Sequence, residues 1–585
     1  MLYQAVLYLT ITILCLWAGL VFFSIFRWID PDFPPYHRPL ISYLLSGLVL
    51  FTIIGQWVVL CRPLNPVTFL TYIIPVLLIL SLLLRHHMTA IFRQLGTPLR
   101  RHPFFLPCLA VFTLMILVLN AGPTVMDDTD SYHIQIIKWI QEYGTVPGIA
   151  NLHIRYGVNS SWFEAIALLT PSLKGVNHYL TLNGLLSCWL CHYLLQKIFT
   201  TPAGPFNSLN LSQLSNPSTP PGPDSQRLAA FIVLLLALLA WPMIRGNAAT
   251  ANYDFISTCC ILVLVFEASA VHTPTRLPEW MVWPFFLCTI KLINIPFLLI
   301  SLLSLLLYNN KPRRKARLLY PRIAALLLMP FFIRNITTTG YPLFPLPLFG
   351  PTQNDFAAPW SLVKEWMDYT LWFNRSGGNP ELVRNLGFLQ WFPTWITHMV
   401  WYDMILTILS FLAWLMILIR WKQIVKNLPA SYWIIILTLF LTLLSWFFSA
   451  PDPRFIYGVL MAGIIIYIMN IKKLPNPGRI NIAAITLSIG IFIYTIARVA
   501  GNSDYRNWTW PHQLPVPDTK EITIDGIRMQ IPEKVLKNWN PRCYDLQLPC
   551  LYNPNPYLHA RGKSISDGFK TMNDDQPMTG EFKIN

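Results

Sequence analysis

"VTFLTYIIPVLLILSLLLRHHMTAIFRQLGTPLRR", Val67 to Arg101, holds the pattern that decides the fold. Its first half, Val67 to Leu84, is an apolar run without one Asp, Glu, Lys or Arg. A helix needs about 20 such residues, at least ~17, to cross the hydrocarbon core of a bilayer. Its second half carries Arg85, Arg93, Arg100 and Arg101 and no acid. Lys and Arg concentrate in the cytoplasmic loops of membrane proteins. The stretch reads as a span that delivers the chain into the cytoplasm.

Working outward, similar runs lie near 3–26 and 41–60 before it and near 104–120 after it. Alternation then puts the N-terminus outside. The first run, Leu2 to Phe26, lacks a basic leader and a small-residue cleavage site, so it reads as an uncleaved span. Further runs lie near 177–199, 227–245, 254–271, 318–335, 398–419, 431–449, 455–470 and 480–499. Two apolar stretches fit no simple span. Trp162 to Leu173 is short, which suits a re-entrant or interfacial helix, and 279–308 is interrupted by Pro284, Lys291 and Pro296, which suits a broken helix or hairpin. The basic segments "NNKPRRKAR", "RWKQIVK" and "KKLPNPGR" fall where alternation requires cytoplasm. The expected fold is an all-α polytopic membrane protein with about 12 full transmembrane helices plus short interfacial or re-entrant ones.

Composition agrees. Of 585 residues, 54% are hydrophobic and only 12% charged, against about a quarter charged in soluble domains. A transmembrane β-barrel would show short alternating segments instead. The net charge of +16 sits in short loops between apolar runs, with no basic stripe interleaved with aromatics, so nucleic acid is not an expected partner.

The chain divides into extra N-terminal spans (1–103), a main membrane module (104–500) with external loops 121–160 and 336–397, and an external tail (501–585). A Pro-, Ser- and Asn-rich linker occupies 200–226. In the tail, Ile522 and Ile524, an Asp525–Gly526 turn, then Ile527, Met529 and Ile531 predict a β-hairpin. Cys543 and Cys550 lie in the same tail, and on the oxidising side of a membrane they are expected to form a disulfide.

Polar residues gather at the predicted external ends of spans: Asp127, Asp128, Asp130, His133, His153, Arg155, Asp254, Arg334, Asp452 and Arg454. Ionisable groups near apolar spans pair with one another or line a wet cavity. Asp130 is placed to cap the helix "SYHIQIIKWIQEY", whose apolar stripe suits it to the membrane interface. A carboxylate at a membrane mouth is a ready general base for a hydroxyl acceptor. Two or three together can also hold a divalent cation, with Asp128 and Asp130 as its ligands.

Four stretches carry a resemblance: "DDTDSYHIQIIKWIQEYGTVPGIANLHIRYGVNSSWF" (Asp127 to Phe163), "RNITTTGYPLFP" (Arg334 to Pro345), "SAPDPRFIYG" (Ser449 to Gly458) and "CYDLQLPC" (Cys543 to Cys550). Together they resemble an uncharacterised family of bacterial polytopic membrane proteins. That family is in turn similar to the C-type (GT-C) glycosyltransferase superfamily, which uses polyprenyl-phosphate-linked sugars. The resemblance implies an integral-membrane glycosyltransferase of the bacterial inner membrane. It would pass a sugar from a polyprenyl-phosphate-linked donor to an envelope acceptor on the external face. The acid of the first external loop, here Asp127 or Asp128 with Asp130 third, would act as base or orient the acceptor. The resemblance also implies cations for the donor phosphate, for which Arg454, Arg334 and Lys291 are the candidates, and an acceptor cleft, which His133, His153, Arg155 and Asp254 would line. Asp254, in "ANYDFISTCCILVLVFEA", would open a later span. The pattern departs from the superfamily in having its acidic loop after the fourth span instead of the first. A transporter or flippase of envelope precursors, or a non-catalytic membrane scaffold, are the competing readings.

Overall fold

The computed structural model describes residues 1–29, 38–95, 102–171, 176–199, 223–268, 277–307, 313–422, 424, 430–471, 474–533, 542–551, 555 and 557–572. Most of the 200–226 linker, Arg100 and Arg101, and parts of the basic segments at 309–317, 420–426 and 472–479 lie outside the described residues.

The opening apolar run forms one continuous helix, Pro66–Leu83. Asn65 caps it by accepting from the Thr68 N–H, and Pro66 supplies the first-turn residue that needs no donor. Its surface is the telling feature. Val67, Leu70, Leu82 and Leu83 are all exposed, Leu83 at 73%. A contiguous apolar face of this kind needs a nonpolar medium beside it, and lipid supplies one.

Among the described residues, six helices are long and apolar enough to cross a membrane: Leu2–Ile29, Leu40–Val58, Pro66–Leu83, Trp401–Ile419, Tyr432–Ser449 and Pro477–Gly501. The protein is therefore a mostly helical membrane protein. Several other predicted spans form helices that are shorter, such as Phe105–Asn120 and Tyr457–Met469.

The first two helices cross with their backbones touching. A Cβ at Gly19 would collide with the Tyr43 carbonyl, and one at Gly47 with the Cys15 carbonyl. Small residues permit such close approach between membrane helices. Gly47→Val is expected to destabilise the protein by at least the ~1–3 kcal/mol of an overpacked core, because a backbone cannot yield as a side chain can. Thermal unfolding in detergent measures it, with Gly490→Val, at a position with open space around it, as the comparison.

The interrupted stretch breaks at Lys291 and not at Pro284, which sits inside Leu277–Ile290. Lys291 is extended (φ −157°, ψ 132°), and a 3-10 turn, Leu292–Phe297, leads into Leu298–Leu307. The last helix packs back on the first, with the Ser301 hydroxyl donating to the Trp280 and Met281 carbonyls. The short helix expected at 162–173 is Ser161–Leu169, and all nine residues are buried. It is therefore a core element and not an interfacial one.

The tail hairpin is present: β1 (Thr519–Ile524) pairs antiparallel with β2 (Ile527–Pro532). Asp525 and Gly526 both take positive φ at its turn, as a two-residue hairpin loop requires. A second hairpin pairs β3 (Leu558–Ala560) with β4 (Phe569–Thr571). Cys543 and Cys550 are disulfide-bonded. The tail meets the start of the chain: the Met1 ammonium donates to the Asn507 carbonyl, and the His512 N–H to that of Ala121. These contacts, with Thr181 donating to Gln4, bring the N-terminus, the end of Phe105–Asn120 and the tail to one end of the bundle. Buried ion pairs close the other: Arg38 with Glu279 at 2.8 Å and Lys197 with Glu267 at 2.7 Å.

Candidate functional site

The acidic stretch begins a helix at Asp127, so Asp130 lies inside its first turns and is not the cap. Thr129–His133 is wound as a π-helix, with the Ile134 N–H bonded to the Thr129 carbonyl five residues back. Single π turns recur at functional sites. The helix that follows, Ile134–Glu142, does not lie open in the interface. Seven of its nine residues are buried. Gln135 donates to the carbonyls of Tyr544 and Leu546, and Lys138 to those of Asp545 and Leu546. The polar face expected to meet water thus meets the disulfide-closed loop of the tail.

The three acids separate. Asp127 and Asp130, one helical turn apart, both pair with Arg542 of the tail. The Tyr544 N–H also donates to the Asp130 carbonyl. Asp128 turns the other way and accepts from Arg454 at 3.4 Å. Arg454 lies 3.6 Å from Asp452 and 4.0 Å from Asp254. Asp254 in turn accepts from Lys291 at 2.8 Å. Lys291 sits 3.1 Å above the Phe455 ring, a cation–π contact.

Local chemistry places each member. Asp452 caps the turn Pro453–Ile456, its carboxylate accepting from the Arg454 N–H at 2.9 Å, with Pro453 in the first position. That turn presents Arg454 ahead of the helix Tyr457–Met469. Asp254 stands in the first turn of its own helix, where the positive dipole end favours a carboxylate. The break after Ile290 carries Lys291 to the same place.

His133 is buried, and neither ring nitrogen has a hydrogen-bond partner among the described residues. Tyr132, Phe163 and Tyr253 surround its ring, with centroids at 4.4, 5.1 and 5.6 Å. Burial lowers its pKa to about 4; Asp128 and Asp254 oppose that shift, and Arg454 and Arg155 add to it. The imidazole is neutral at pH 7. Burial raises the pKa of Asp128, but Arg454, His133 and Arg155 more than offset it, so the net shift is downward. Asp128 is therefore ionised. For Asp130 burial prevails over Thr124 and Arg542, and its pKa rises to about 6.

Arg334 stands apart from this cluster, whereas Arg155 acts on Asp128 and His133. Arg334 is paired with Glu164 at 2.9 Å and also donates to Asn159; both charged side chains are buried. Its charge is matched inside the protein. His153 is buried, its Nδ1 accepting from the Arg155 N–H at 3.2 Å and its ring beside Tyr156. Arg155 stacks between the Tyr132 and Trp366 rings, 5.5 and 5.1 Å from their centroids. Asp128 and Asp130 do not share a cation site, since each engages a different arginine. Among the described residues no three His, Cys, Asp or Glu side chains converge as metal ligands.

Two partners escaped the sequence reading. Glu164 sits in an apolar stretch, where its charge alone was a signal that a buried cation must face it. Arg542 lies in an irregular Pro- and Asn-rich segment, and nothing local links it to acids more than 400 residues earlier.

Residues 1–461 match one family model, described as a domain of unknown function, DUF8201. The chain belongs to the DUF8201 family. The match contains every member of the Asp128–Arg454 cluster and stops short of Arg542 and the disulfide loop. No curated protein and no solved structure matches the chain.

Proposed function

We propose that this DUF8201 member is an integral-membrane glycosyltransferase. In this reading it moves a sugar from a polyprenyl-phosphate-linked donor to an envelope acceptor on the external face of a bacterial inner membrane. The observation that carries it is the cluster of Asp128, Asp254, Asp452, Arg454 and Lys291 at one end of the bundle, with Asp128 and Arg454 partly exposed. A lipid-linked donor entering from the side would bring its phosphate to the level of the helix ends. Arg454 offers a planar fork for its oxygens and would stabilise the charge left on the departing phosphate. Asp128 would take the proton of the acceptor hydroxyl as the new glycosidic bond forms.

The same reading assigns about 12 full crossings, counting helices such as Phe105–Asn120 and Tyr457–Met469 as spans completed by their flanking turns. It places the N-terminus, the 121–160 and 336–397 loops and the 501–585 tail outside. Membrane lipid is then both solvent and route of donor entry.

The test is the surface-glycan profile of a strain lacking the protein, restored with wild-type or Arg454→Gln chain at equal membrane level. Loss of a glycan in the deletion strain, regained with wild type and not with Arg454→Gln, is the expected result. An unchanged profile in the deletion strain would remove the proposal.

A further inference from the structure

Arg454 is surrounded by acids but poorly bonded to them. Three carboxylates lie within 4.0 Å of its guanidinium, yet only Asp128 makes a side-chain hydrogen bond to it, at 3.4 Å. Charge-assisted bonds of this type normally run about 2.7–2.9 Å. Asp254 is committed to Lys291, and Asp452 to the Arg454 backbone N–H. The guanidinium also contacts the Met126 sulfur at 3.7 Å, a weak acceptor, and lies 5.4 Å from the Phe455 ring centroid. The Arg454 Nε is buried and has no hydrogen-bond partner among the described residues, Asp452 and Asp254 standing 3.6 and 4.0 Å from it. A guanidinium carries five donors, so this one is under-bonded.

The open side of the cluster holds Asp128 and Asp452. Their side chains are 29% and 26% exposed and that of Arg454 is 25% exposed, whereas Asp254 is 6% exposed. Asp452 is held by the Arg454 backbone N–H, so Asp128 is the more readily displaced of the two by an incoming anion. A phosphate offers a planar fork two or three oxygens; Asp128 offers one, at long range.

We propose that Asp128 holds on Arg454 the place that the donor phosphate takes, so that donor binding frees the Asp128 carboxylate for the acceptor. This rests on the glycosyltransferase reading and adds an order to it: donor first, acceptor second. One anion replaces another on Arg454, and no covalent bond changes in the exchange. Before the donor arrives, Asp128 is tied to a cation that makes it a poor base. Afterwards it stands ionised beside the phosphate-bound centre, and an acceptor without a donor meets no free base.

The exchange makes a prediction opposite to that for a simple ligand: removing Asp128 should strengthen donor binding. The experiment measures binding of farnesyl phosphate, a short polyprenyl phosphate, to the purified full chain in nanodiscs, with inorganic phosphate in a parallel arm. Asp128→Asn and Asp128→Ser are both used, so that a folding defect peculiar to one does not decide the result. Both are expected to bind farnesyl phosphate about tenfold more tightly than wild type, the equivalent of one modest ion pair. Arg454→Gln is expected to bind at least about tenfold more weakly, and inorganic phosphate weakly throughout. Unchanged or weaker binding by both Asp128 variants, with wild-type binding intact, overturns the exchange and leaves the donor reading standing. Wild type that does not bind farnesyl phosphate, or that binds inorganic phosphate equally well, overturns the donor reading and the exchange with it.

Discussion

Asp128→Asn is expected to abolish transfer while leaving the protein folded and in the membrane. The asparagine keeps the shape but cannot take a proton, and removing a general base commonly costs ~10²–10⁴ in rate. Asp127→Asn is expected to lose only a few-fold, because that carboxylate faces Arg542 of the tail and not Arg454. The neighbours thus differ by at least about one order of magnitude for a geometric reason. Transfer to endogenous acceptor in membranes of each strain measures this, normalised to protein level. Equal loss in both variants would mean that the acids act together through the tail and would displace Asp128 from the centre.

Glu164→Gln is expected to cost stability instead of chemistry, and much of it. Its side chain and that of Arg334 are only 2% and 6% exposed and 2.9 Å apart. Removing one partner of a buried pair leaves the other charged and unmatched, which typically costs about 3–5 kcal/mol. Replacing both, as Glu164→Leu with Arg334→Met, should recover most of that, since a well-packed apolar pair is often as stable as the ion pair. Thermal unfolding in detergent, with membrane abundance alongside, gives the answer. If Arg334 bound a donor phosphate, Glu164→Gln would leave folding intact and the double variant would lose transfer at normal stability.

Much of the scaffold was legible because its signals are local. Apolar runs of membrane length, the Asp525–Gly526 turn and the Cys543/Cys550 pair each announce themselves within about ten to twenty residues. The break in 279–308 was legible too, although the lysine and not the first proline marks it; Pro284 is absorbed inside Leu277–Ile290. Span lengths were less so, because helices such as Phe105–Asn120 end where polar residues find partners from other segments, here the Asn120 amide donating to the Leu180 and Ala248 carbonyls. The candidate site was legible in membership and not in arrangement. Asp128, Asp254 and Arg454 were expected near one face and they meet, joined by Lys291 from the interrupted stretch. Which acid of "DDTD" faces Arg454 depends on the winding of one π turn, and a single added residue per turn redirects a side chain. Arg334 looked equivalent to Arg454 because both stand at the end of an apolar run. Only packing against Ser161–Leu169 separates them: it gives Arg334 a carboxylate bond of 2.9 Å to Glu164, where Arg454 has one of 3.4 Å to Asp128.

The central claim is that a lipid-linked sugar is consumed at the Asp128–Arg454 centre. The most direct measurement is mass spectrometry of the polyprenyl-phosphate-linked sugars in organic extracts of the deletion strain, restored with wild-type or Asp128→Asn chain. The account predicts that one such lipid accumulates without the protein, falls when wild type is restored, and stays high with Asp128→Asn. A pool that is the same in all three strains would contradict it.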